Sequence, residues 1–333
     1  LKTSTTALDG RADLSLAPHG LMFARERLTR AVSLLPTLAP LGAFGLQWYS
    51  FNVILALRVL PAEIGVVRSL LCTVGFNSAW LLALWSFLRC AFTDPGRVPQ
   101  GWRPQSIEGA TATGEESSEG PLWPCSRRHW QPAVATMCLR CAAPRPERAH
   151  HCSVCGICVL RLDHHCPWVG NCIGFRNHKY FLLLCFHGTS ACTVFSLAAL
   201  PQLRALFDGG PGLRIVSSAS SPEGSFLVAE VAMLAASFGL ILGGLFVSQA
   251  WLLAENRTSV EANYAGRSPY SLGAFRNAEQ VLGAFELAWF LPVPATRSLS
   301  DGFSFPTLLV AGSDVERGDK EHRPGSAALP PAF

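Results

Sequence analysis

Long stretches without a charged residue alternate with polar segments along this chain. The uncharged stretches are 31–57, 69–88, 180–203 and 231–254. A helix needs about 20 apolar residues to cross a bilayer, so each stretch is long enough. Helices buried in a large soluble core are the alternative, but four such windows in one chain argue against it. The pattern therefore predicts an α-helical multi-pass membrane protein with four transmembrane helices.

The polar segments differ from one another in composition. Residues 1–30 are mixed polar and basic, and residues 89–137 contain a stretch rich in Ser, Gly, Thr and Glu that predicts a disordered linker. Residues 138–179 are rich in cysteine, and residues 255–333 end in a second low-complexity tail. The apolar run 284–295 is too short to span, so we expect it to lie at the membrane interface.

Composition supports the membrane prediction. The chain of 333 residues is 49% hydrophobic and only 15% charged, and its mean hydropathy is +0.27. Soluble domains carry nearer a quarter of charged residues. The net charge of +4 is too small to indicate a nucleic-acid partner, and it fits a protein that faces anionic lipid.

An even number of spans places both termini on the same side of the membrane as the loop 89–179. Lys and Arg residues close to the spans favour that side as the cytosol, though only modestly. The cysteine-rich segment argues more strongly, because free thiols and zinc sites persist in a reducing compartment. We therefore expect cytosolic termini and a cytosolic cysteine-rich domain between the second and third spans.

Seven of the twelve cysteines lie between Cys138 and Cys172. Their CxxC spacing and interleaved histidines favour metal ligation over disulfides. Two closed tetrahedral zinc sites need eight ligands. Seven cysteines with one histidine would supply them, and so would six cysteines with two histidines, which would leave one thiol free. Spacing alone leaves both solutions open, and in either case metal would supply folding energy to a segment poor in apolar residues.

The run Asp163-His164-His165-Cys166 contains the parts of an activated nucleophile. A histidine can take the proton of a neighbouring thiol, and a carboxylate can orient the imidazole. The alternative is that all four residues bind zinc or support its ligands. The run by itself does not choose between the two.

With these residues in place, the sequence resembles the DHHC family of protein S-acyltransferases. The family pattern CxxCxxx[RK]PxRxxHCxxCxxCxxxxDHHCxWVxNC is met at every fixed position from Cys138 to Cys172. Asp94-Pro95-Gly96 resembles the family's DPG motif, and Asn277 resembles the asparagine of its PaCCT motif. Thr258-Ser259-Val260-Glu261 resembles its TTxE motif, with serine in place of the second threonine.

The resemblance implies a ligand set and a catalytic residue. One zinc ion would be held by Cys138, Cys141, His151 and Cys158, and the other by Cys152, Cys155, His165 and Cys172. Cys166 would be the spare thiol and the nucleophile, His164 its general base, and Asp163 the residue that orients the base. Trp168 is expected near the acyl thioester, with Thr258 and Ser259 supporting the active site or acyl-CoA.

The implied activity is protein S-palmitoylation with palmitoyl-CoA as the acyl donor. The resemblance also implies two structural Zn²⁺ ions as cofactors. The expected partners are the lipid bilayer and protein substrates with membrane-proximal cysteines, and the expected location is the Golgi or another endomembrane. A membrane-anchored zinc adaptor without catalysis is one rival, and a transporter or channel is the other. A transporter usually carries ionisable residues inside its spans, and these windows contain none except His187.

Overall fold

The computed structural model describes residues 36–104, 129–208 and 222–307, without the side chains of 205–208 and 222–225. The expected N-terminal segment 1–30, most of the expected disordered linker and the C-terminal tail lie outside the described residues. So do residues 31–35, the start of the first uncharged window.

Four long helices carry the apolar windows. They are α1 (Pro36–Ile64), α2 (Val66–Phe92), α3 (His178–Asp208) and α4 (Pro222–Ala254). Within the described part of the chain, these four are long and apolar enough to cross a membrane. The predicted four-span helical architecture is therefore confirmed. Residues Ser50–Val59 of α1 form π-helical turns.

The helices run past the uncharged windows at their ends. Arg58 and Glu63 lie inside α1, and Arg89 lies inside the last turn of α2. Long charged side chains near the end of a span can reach the headgroups, so a charge does not have to end the helix. Residues 58–68 separate the first two uncharged windows, yet only Gly65 interrupts the helix there, with φ of 81° and ψ of 159°. The positive φ is the reason that glycine stands there.

Aromatic stacking and a polar pair join the helices. The rings of Phe51 in α1 and Phe76 in α2 stack at 3.8 Å, and Phe195 of α3 packs on both. Asn52 and Asn77 exchange side-chain hydrogen bonds of 3.2 and 2.8 Å between α1 and α2. Such amide pairs hold membrane helices together where apolar packing alone gives little specificity.

The outer face of α4 remains apolar and uncovered. Leu240, Ile241, Val247 and Trp251 are each more than half exposed. An exposed apolar surface of this kind on a soluble protein would promote aggregation. On α4 it is the surface that faces lipid.

Three short antiparallel hairpins form the cysteine-rich domain between α2 and α3. Their strands are β1 (Thr136–Cys138), β2 (Ala143–Arg145), β3 (His150–Cys152), β4 (Ile157–Val159), β5 (His164–Cys166) and β6 (Asn171–Ile173). Each strand pairs with the next, giving β1–β2, β3–β4 and β5–β6. Three-residue strands bury too little apolar surface to be stable alone, so the domain needs other cross-links.

The Asp94-Pro95-Gly96 turn fastens this domain to the end of α2. The Asp94 carboxylate accepts the backbone N–H groups of Gly96 and Arg97 at 2.8 and 2.9 Å. The Gly96 carbonyl then accepts the N–H of Leu160 at 2.7 Å. Asp94 therefore does more than end the helix, because it shapes the turn that pairs with the domain.

The C-terminal region folds back onto the ends of α3 and α4. It contains a 3-10 turn (Glu261–Asn263), helix α5 (Ala274–Leu282) and a second 3-10 turn (Leu287–Phe290). The Asn277 side chain is fully buried and donates to the carbonyl of Ala254 at 2.7 Å, which braces the end of α4. His187 of α3 bonds the carbonyl of Phe290 at 3.0 Å, so the run expected at the interface lies against a membrane helix.

Candidate active site

The first two hairpins bring four metal-binding side chains together. Cys138 and Cys141 lie in the β1–β2 hairpin, and His151 and Cys158 face each other across β3–β4. Their ligand atoms all lie within 4.8 Å of one another. The Nδ1 atom of His151 is 3.7 Å from Cys138 Sγ and 3.2 Å from Cys141 Sγ, and the sulfurs of Cys141 and Cys158 are 3.7 Å apart.

A second cluster joins the second hairpin to the third. Cys152 and Cys155 come from β3–β4, and His165 and Cys172 face each other across β5–β6. The three sulfurs lie 3.8, 3.4 and 3.6 Å from the Nδ1 atom of His165. The two clusters therefore tie the three hairpins into one unit.

Both donor sets fit zinc. Four ligands about 2.3 Å from a tetrahedral zinc ion lie roughly 3.8 Å from one another, close to the separations found here. Three thiols and one imidazole form a closed structural set with no position left for a substrate. Each cluster thus suits a structural Zn²⁺ ion, and the two complete sets contain six cysteines and two histidines.

Strand alternation separates Cys166 from these ligands. Successive side chains of a strand point to opposite faces. In β5, His165 points to the second metal cluster, whereas His164 and Cys166 share the other face. The order His-His-Cys on one short strand therefore sends one histidine to the metal and keeps the other beside the thiol.

A buried carboxylate organises that second face. Asp163 is 1% exposed, and its carboxylate accepts a hydrogen bond from Nδ1 of His164 at 2.7 Å. It also accepts the backbone N–H and the hydroxyl of Ser259 at 2.7 and 2.8 Å, and the amide of Gln249 at 2.9 Å. With Nδ1 held by Asp163, Nε2 is the free nitrogen of His164, on the strand face that the ring shares with Cys166.

The charges in this site reinforce one another. Burial alone would lower the pKa of His164, but its hydrogen bond to Asp163 and its interaction with Cys166 outweigh burial and raise the pKa to about 9. Burial alone would raise the pKa of Asp163, but hydrogen bonds led by that of His164 keep its pKa well below the usual range. The bond to Asp163 therefore favours the protonated form of the His164 ring, which is the form that exists after the ring takes a proton from a thiol.

Cys166 lies where the cysteine-rich domain meets the membrane helices. It is 6% exposed and packs in one buried cluster with apolar residues of the domain and of the spans, among them Phe87 of α2 and Leu184 of α3. The ring of Phe181 stands edge-on to His164 at 5.0 Å. Trp168, which follows in the turn after β5, is 60% exposed. The thiol thus has a polar partner on one side and an apolar surface on the other.

The two hydroxyl residues of the TTxE-like motif have different contacts. Ser259 contacts Asp163 directly, so serine supplies the hydroxyl that threonine would supply. Thr258 is buried in a local turn instead, where its hydroxyl accepts the N–H of Glu261 at 3.3 Å. Among the described contacts, the Thr258 side chain does not bond Asp163, and Ser259 lies between the two.

Arg148 and Glu261 form an ion pair in which both side chains are 1% exposed. The guanidinium also donates to the side chain of Asn256 at 2.9 Å and lies over the rings of Tyr270 and Phe305. It connects the cysteine-rich domain to the C-terminal region behind the site.

Two residues of the site had no role assigned from the sequence, although Asn171 is a fixed position of the family pattern. Gln249 lies inside the fourth apolar window, and its amide joins Asp163 to His178 of α3. Asn171 stands opposite Cys166 in β5–β6, and its amide donates to the carbonyls of Cys90, Ala91 and Thr93 at 2.9–3.1 Å, which caps α2. A polar side chain within an apolar window was the signal for Gln249, since such residues bond across helices.

Comparison with known proteins points to one family. The family described as DHHC palmitoyltransferase matches residues 133–264. "Probable protein S-acyltransferase 13" of Arabidopsis thaliana is 33% identical over 278 residues, 79% of this chain and 86% of the relative. "Palmitoyltransferase ZDHHC2" of Mus musculus is 28% identical over 310 residues, 89% of this chain and 81% of the relative.

The match covers the strands that build both metal clusters and the Asp163–His164–Cys166 face, and it extends through Glu261. The relatives extend it over most of the four-helix architecture. The resemblance drawn from the motif is thereby confirmed, and this chain belongs to the DHHC palmitoyltransferase family.

Proposed function

We propose that this protein is a membrane-embedded protein S-acyltransferase. It would move a fatty acyl group, palmitoyl above all, from acyl-CoA through Cys166 to cysteines of other proteins. One observation carries the proposal: both four-ligand clusters are complete without Cys166, and this spare thiol shares a strand face with an imidazole that a buried carboxylate holds. A purely structural zinc adaptor would have no use for that arrangement.

The proposed chemistry uses two atoms on that strand face, Nε2 of His164 and Sγ of Cys166. Nε2 of His164 takes the proton of Cys166, and Sγ attacks the thioester carbonyl of acyl-CoA. The C–S bond to CoA breaks, the CoA thiolate takes the proton back from His164, and the acyl group remains on Cys166 as a thioester. A substrate cysteine then gives its proton to His164 and attacks the same carbonyl, which frees Cys166. Each step exchanges one thioester for another.

Asp163 acts through His164. Its bond to Nδ1 fixes the ring with Nε2 toward the thiol, and its negative charge stabilises the imidazolium formed when the thiol is deprotonated. Ser259 and Gln249 hold the carboxylate from two other elements. We assign all three as positioning residues.

The eight ligands would hold two Zn²⁺ ions, which supply structure and no chemical step. The hairpins have little apolar core of their own, so the metal clusters fix the strand on which His164 and Cys166 stand.

The acyl chain is proposed to lie among the spans. Cys166 shares a buried apolar cluster with Phe87 of α2 and Leu184 of α3, and each methylene buried there contributes about 0.8 kcal/mol. Trp168, exposed at the same edge, is proposed to contact the bound acyl thioester or the lipid beside it. A thiol at this depth suits acceptor cysteines close to the membrane.

We infer that the catalytic face and both termini are cytosolic, because the seven cysteines of the cysteine-rich segment form no disulfide, which suits a reducing compartment. The Golgi or another endomembrane is the proposed location. Labelling of single introduced cysteines at residues 100 and 62 in sealed vesicles tests the orientation, and imaging of the tagged full chain tests the location.

Acyl-enzyme formation tests the activity. The purified full chain is incubated with radiolabelled palmitoyl-CoA, and half is then treated with neutral hydroxylamine, which cleaves thioesters. Wild-type protein and the control Cys72→Ala are expected to carry a hydroxylamine-labile label, and Cys166→Ala none. An equal label on Cys166→Ala, or none on folded wild-type protein that retains its zinc, would overturn the proposal.

A further inference from the structure

Two more thiols lie in the same buried cluster as Cys166. Cys90 stands in the last turn of α2 and is fully buried, and Cys185 stands in α3 and is 1% exposed. All three cysteines are free, and they share one buried apolar cluster at the junction of the cysteine-rich domain with α2 and α3. Neither belongs to a metal cluster, and the acyl transfer proposed above uses neither of them.

Hydrogen bonds fix Cys90 beside the catalytic strand. Asn171 is the cross-strand partner of Cys166, and its side chain donates to the Cys90 carbonyl at 3.1 Å. Asn177 donates to the same carbonyl at 3.2 Å and to the carbonyl of Cys172 at 2.8 Å. The backbone of Cys90 is thus tied from two directions to the hairpin that carries Cys166.

Cys185 has no comparable attachment. It stands one helical turn after Phe181, the residue whose ring meets His164, so it shares that face of α3. Among the described contacts, the Cys185 carbonyl accepts the hydroxyl of Thr189 on the same helix at 2.7 Å, and no hydrogen bond joins Cys185 to the hairpin of Cys166. It therefore serves as a matched comparison for Cys90: a second buried thiol in the same cluster without the bonds to the catalytic hairpin.

A buried cysteine is ordinarily a small packing residue. The neighbourhood of a nucleophilic thiol changes that reading, because such thiols react with peroxides and the resulting sulfenic acid condenses with a nearby thiol. An opening that admits acyl-CoA to Cys166 also admits a hydroperoxide. What a peroxide does to this enzyme then depends on which thiol stands next to Cys166.

We propose that Cys90 is the resolving thiol for Cys166, so that hydroperoxides convert the pair to a reversible disulfide. In the first step the Cys166 sulfur takes one oxygen from hydrogen peroxide, which leaves as water, and Cys166 becomes a sulfenic acid. In the second step Cys90 Sγ attacks that sulfur and the S–O bond breaks. The departing hydroxyl takes the Cys90 proton and leaves as a second water. Two thiols are oxidised by two electrons, and one peroxide is reduced to two waters.

The disulfide would have two consequences. It would block acyl-enzyme formation, because Cys166 could no longer attack a thioester. It would also protect Cys166 from further oxidation to sulfinic acid, which thiols do not reverse. The inference rests on Cys166 being the free nucleophile of the proposed function, and it adds a modification site to that function.

The test uses the purified full chain with its zinc. Samples are treated with hydrogen peroxide, free thiols are blocked with N-ethylmaleimide, and peptides are mapped without reduction by mass spectrometry. Wild-type protein and Cys185→Ala are expected to yield a Cys90–Cys166 linked peptide and to lose acyl-enzyme formation until dithiothreitol restores it. Cys90→Ala is expected to accumulate Cys166 sulfinic acid and to stay inactive after dithiothreitol.

Three results would overturn the inference: Cys166 linked to Cys185, Cys166 linked to a metal ligand, or Cys90→Ala recovering as fully as wild type. Zinc content, measured on the same samples, shows whether the ligands were oxidised instead. Failure of the proposed function is distinguishable, because untreated wild-type protein would then form no acyl-enzyme, whatever the peptide map shows.

Discussion

Replacing Asp163 with asparagine tests how the site activates its thiol. The carboxylate accepts four hydrogen bonds and donates none, and its charge faces the imidazole at 2.7 Å. An asparagine keeps the shape but has no charge, and its NH₂ group would meet donors wherever it turned. The substitution therefore removes both the charge and at least one of the bonds that hold the ring.

The magnitude follows from the bonds. A hydrogen bond to a charged group contributes about 1.5–3 kcal/mol, and loss of one bond with the imidazolium-stabilising charge removes about 3–5 kcal/mol from the transition state. At 1.36 kcal/mol per factor of ten, we expect acyl-enzyme formation to slow by about 10²- to 10⁴-fold. The same change in a serine-protease triad costs about 10⁴-fold.

The assay is single-turnover formation of the acyl-enzyme with labelled palmitoyl-CoA, followed by rapid quench. Glu279→Gln is the control, since it removes a carboxylate from an ion pair with Arg276 on α5, outside the site. Zinc content should equal that of wild type for both variants. A rate for Asp163→Asn within about threefold of wild type, in protein that keeps both zinc ions, would refute the assigned role of Asp163.

Three further predictions follow from the same contacts. Ser259→Ala removes the hydroxyl bond to Asp163 but keeps the backbone bond, so acyl-enzyme formation should slow by about tenfold. Ser259→Thr keeps a hydroxyl and should form the acyl-enzyme at a rate near that of wild type. Equal rates for the two variants would contradict this role of the hydroxyl. Arg148→Ala leaves the Glu261 carboxylate buried without its partner, so the free energy of unfolding in denaturant titrations should fall by about 3–5 kcal/mol. Arg276→Ala breaks an exposed ion pair and should change that free energy by less than about 1 kcal/mol. A strong zinc chelator should abolish acyl-enzyme formation and expose the cysteine-rich segment to protease. The helices α1–α4 should keep their circular-dichroism signal. A zinc-free protein that still forms the acyl-enzyme would show that the metal does not hold the site.

The membrane architecture could be predicted from the sequence because bilayer thickness sets the length of a span. The ends of the uncharged windows did not give the ends of the helices, because a charged residue does not end a helix whose terminus reaches the lipid headgroups. The connection between α1 and α2 shows this, because Arg58 and Glu63 continue the helix and only Gly65 interrupts it. A local conformational preference decided that boundary, and the charges that defined the uncharged windows did not.

The site was predictable to the extent that its residues are adjacent in sequence. Spacing indicated metal binding but allowed two ligand sets, and the family motif was needed to choose between them. The structure supplies a physical reason for the choice, since alternation along β5 sends His165 one way and Cys166 the other. Motif spacing could not pair residues that are far apart in the sequence: Gln249 is 86 positions from Asp163, and Arg148 is 113 positions from Glu261.

The central claim is that one thiol is left over when both zinc ions are bound, and that this thiol carries the acyl group. Intact-protein mass spectrometry under native conditions measures both quantities on the same molecule after incubation with palmitoyl-CoA. We expect two zinc ions and one acyl group on wild-type protein, and two zinc ions with no acyl group on Cys166→Ala. Loss of a zinc ion from Cys166→Ala, or an acyl group that remains on it, would contradict the account.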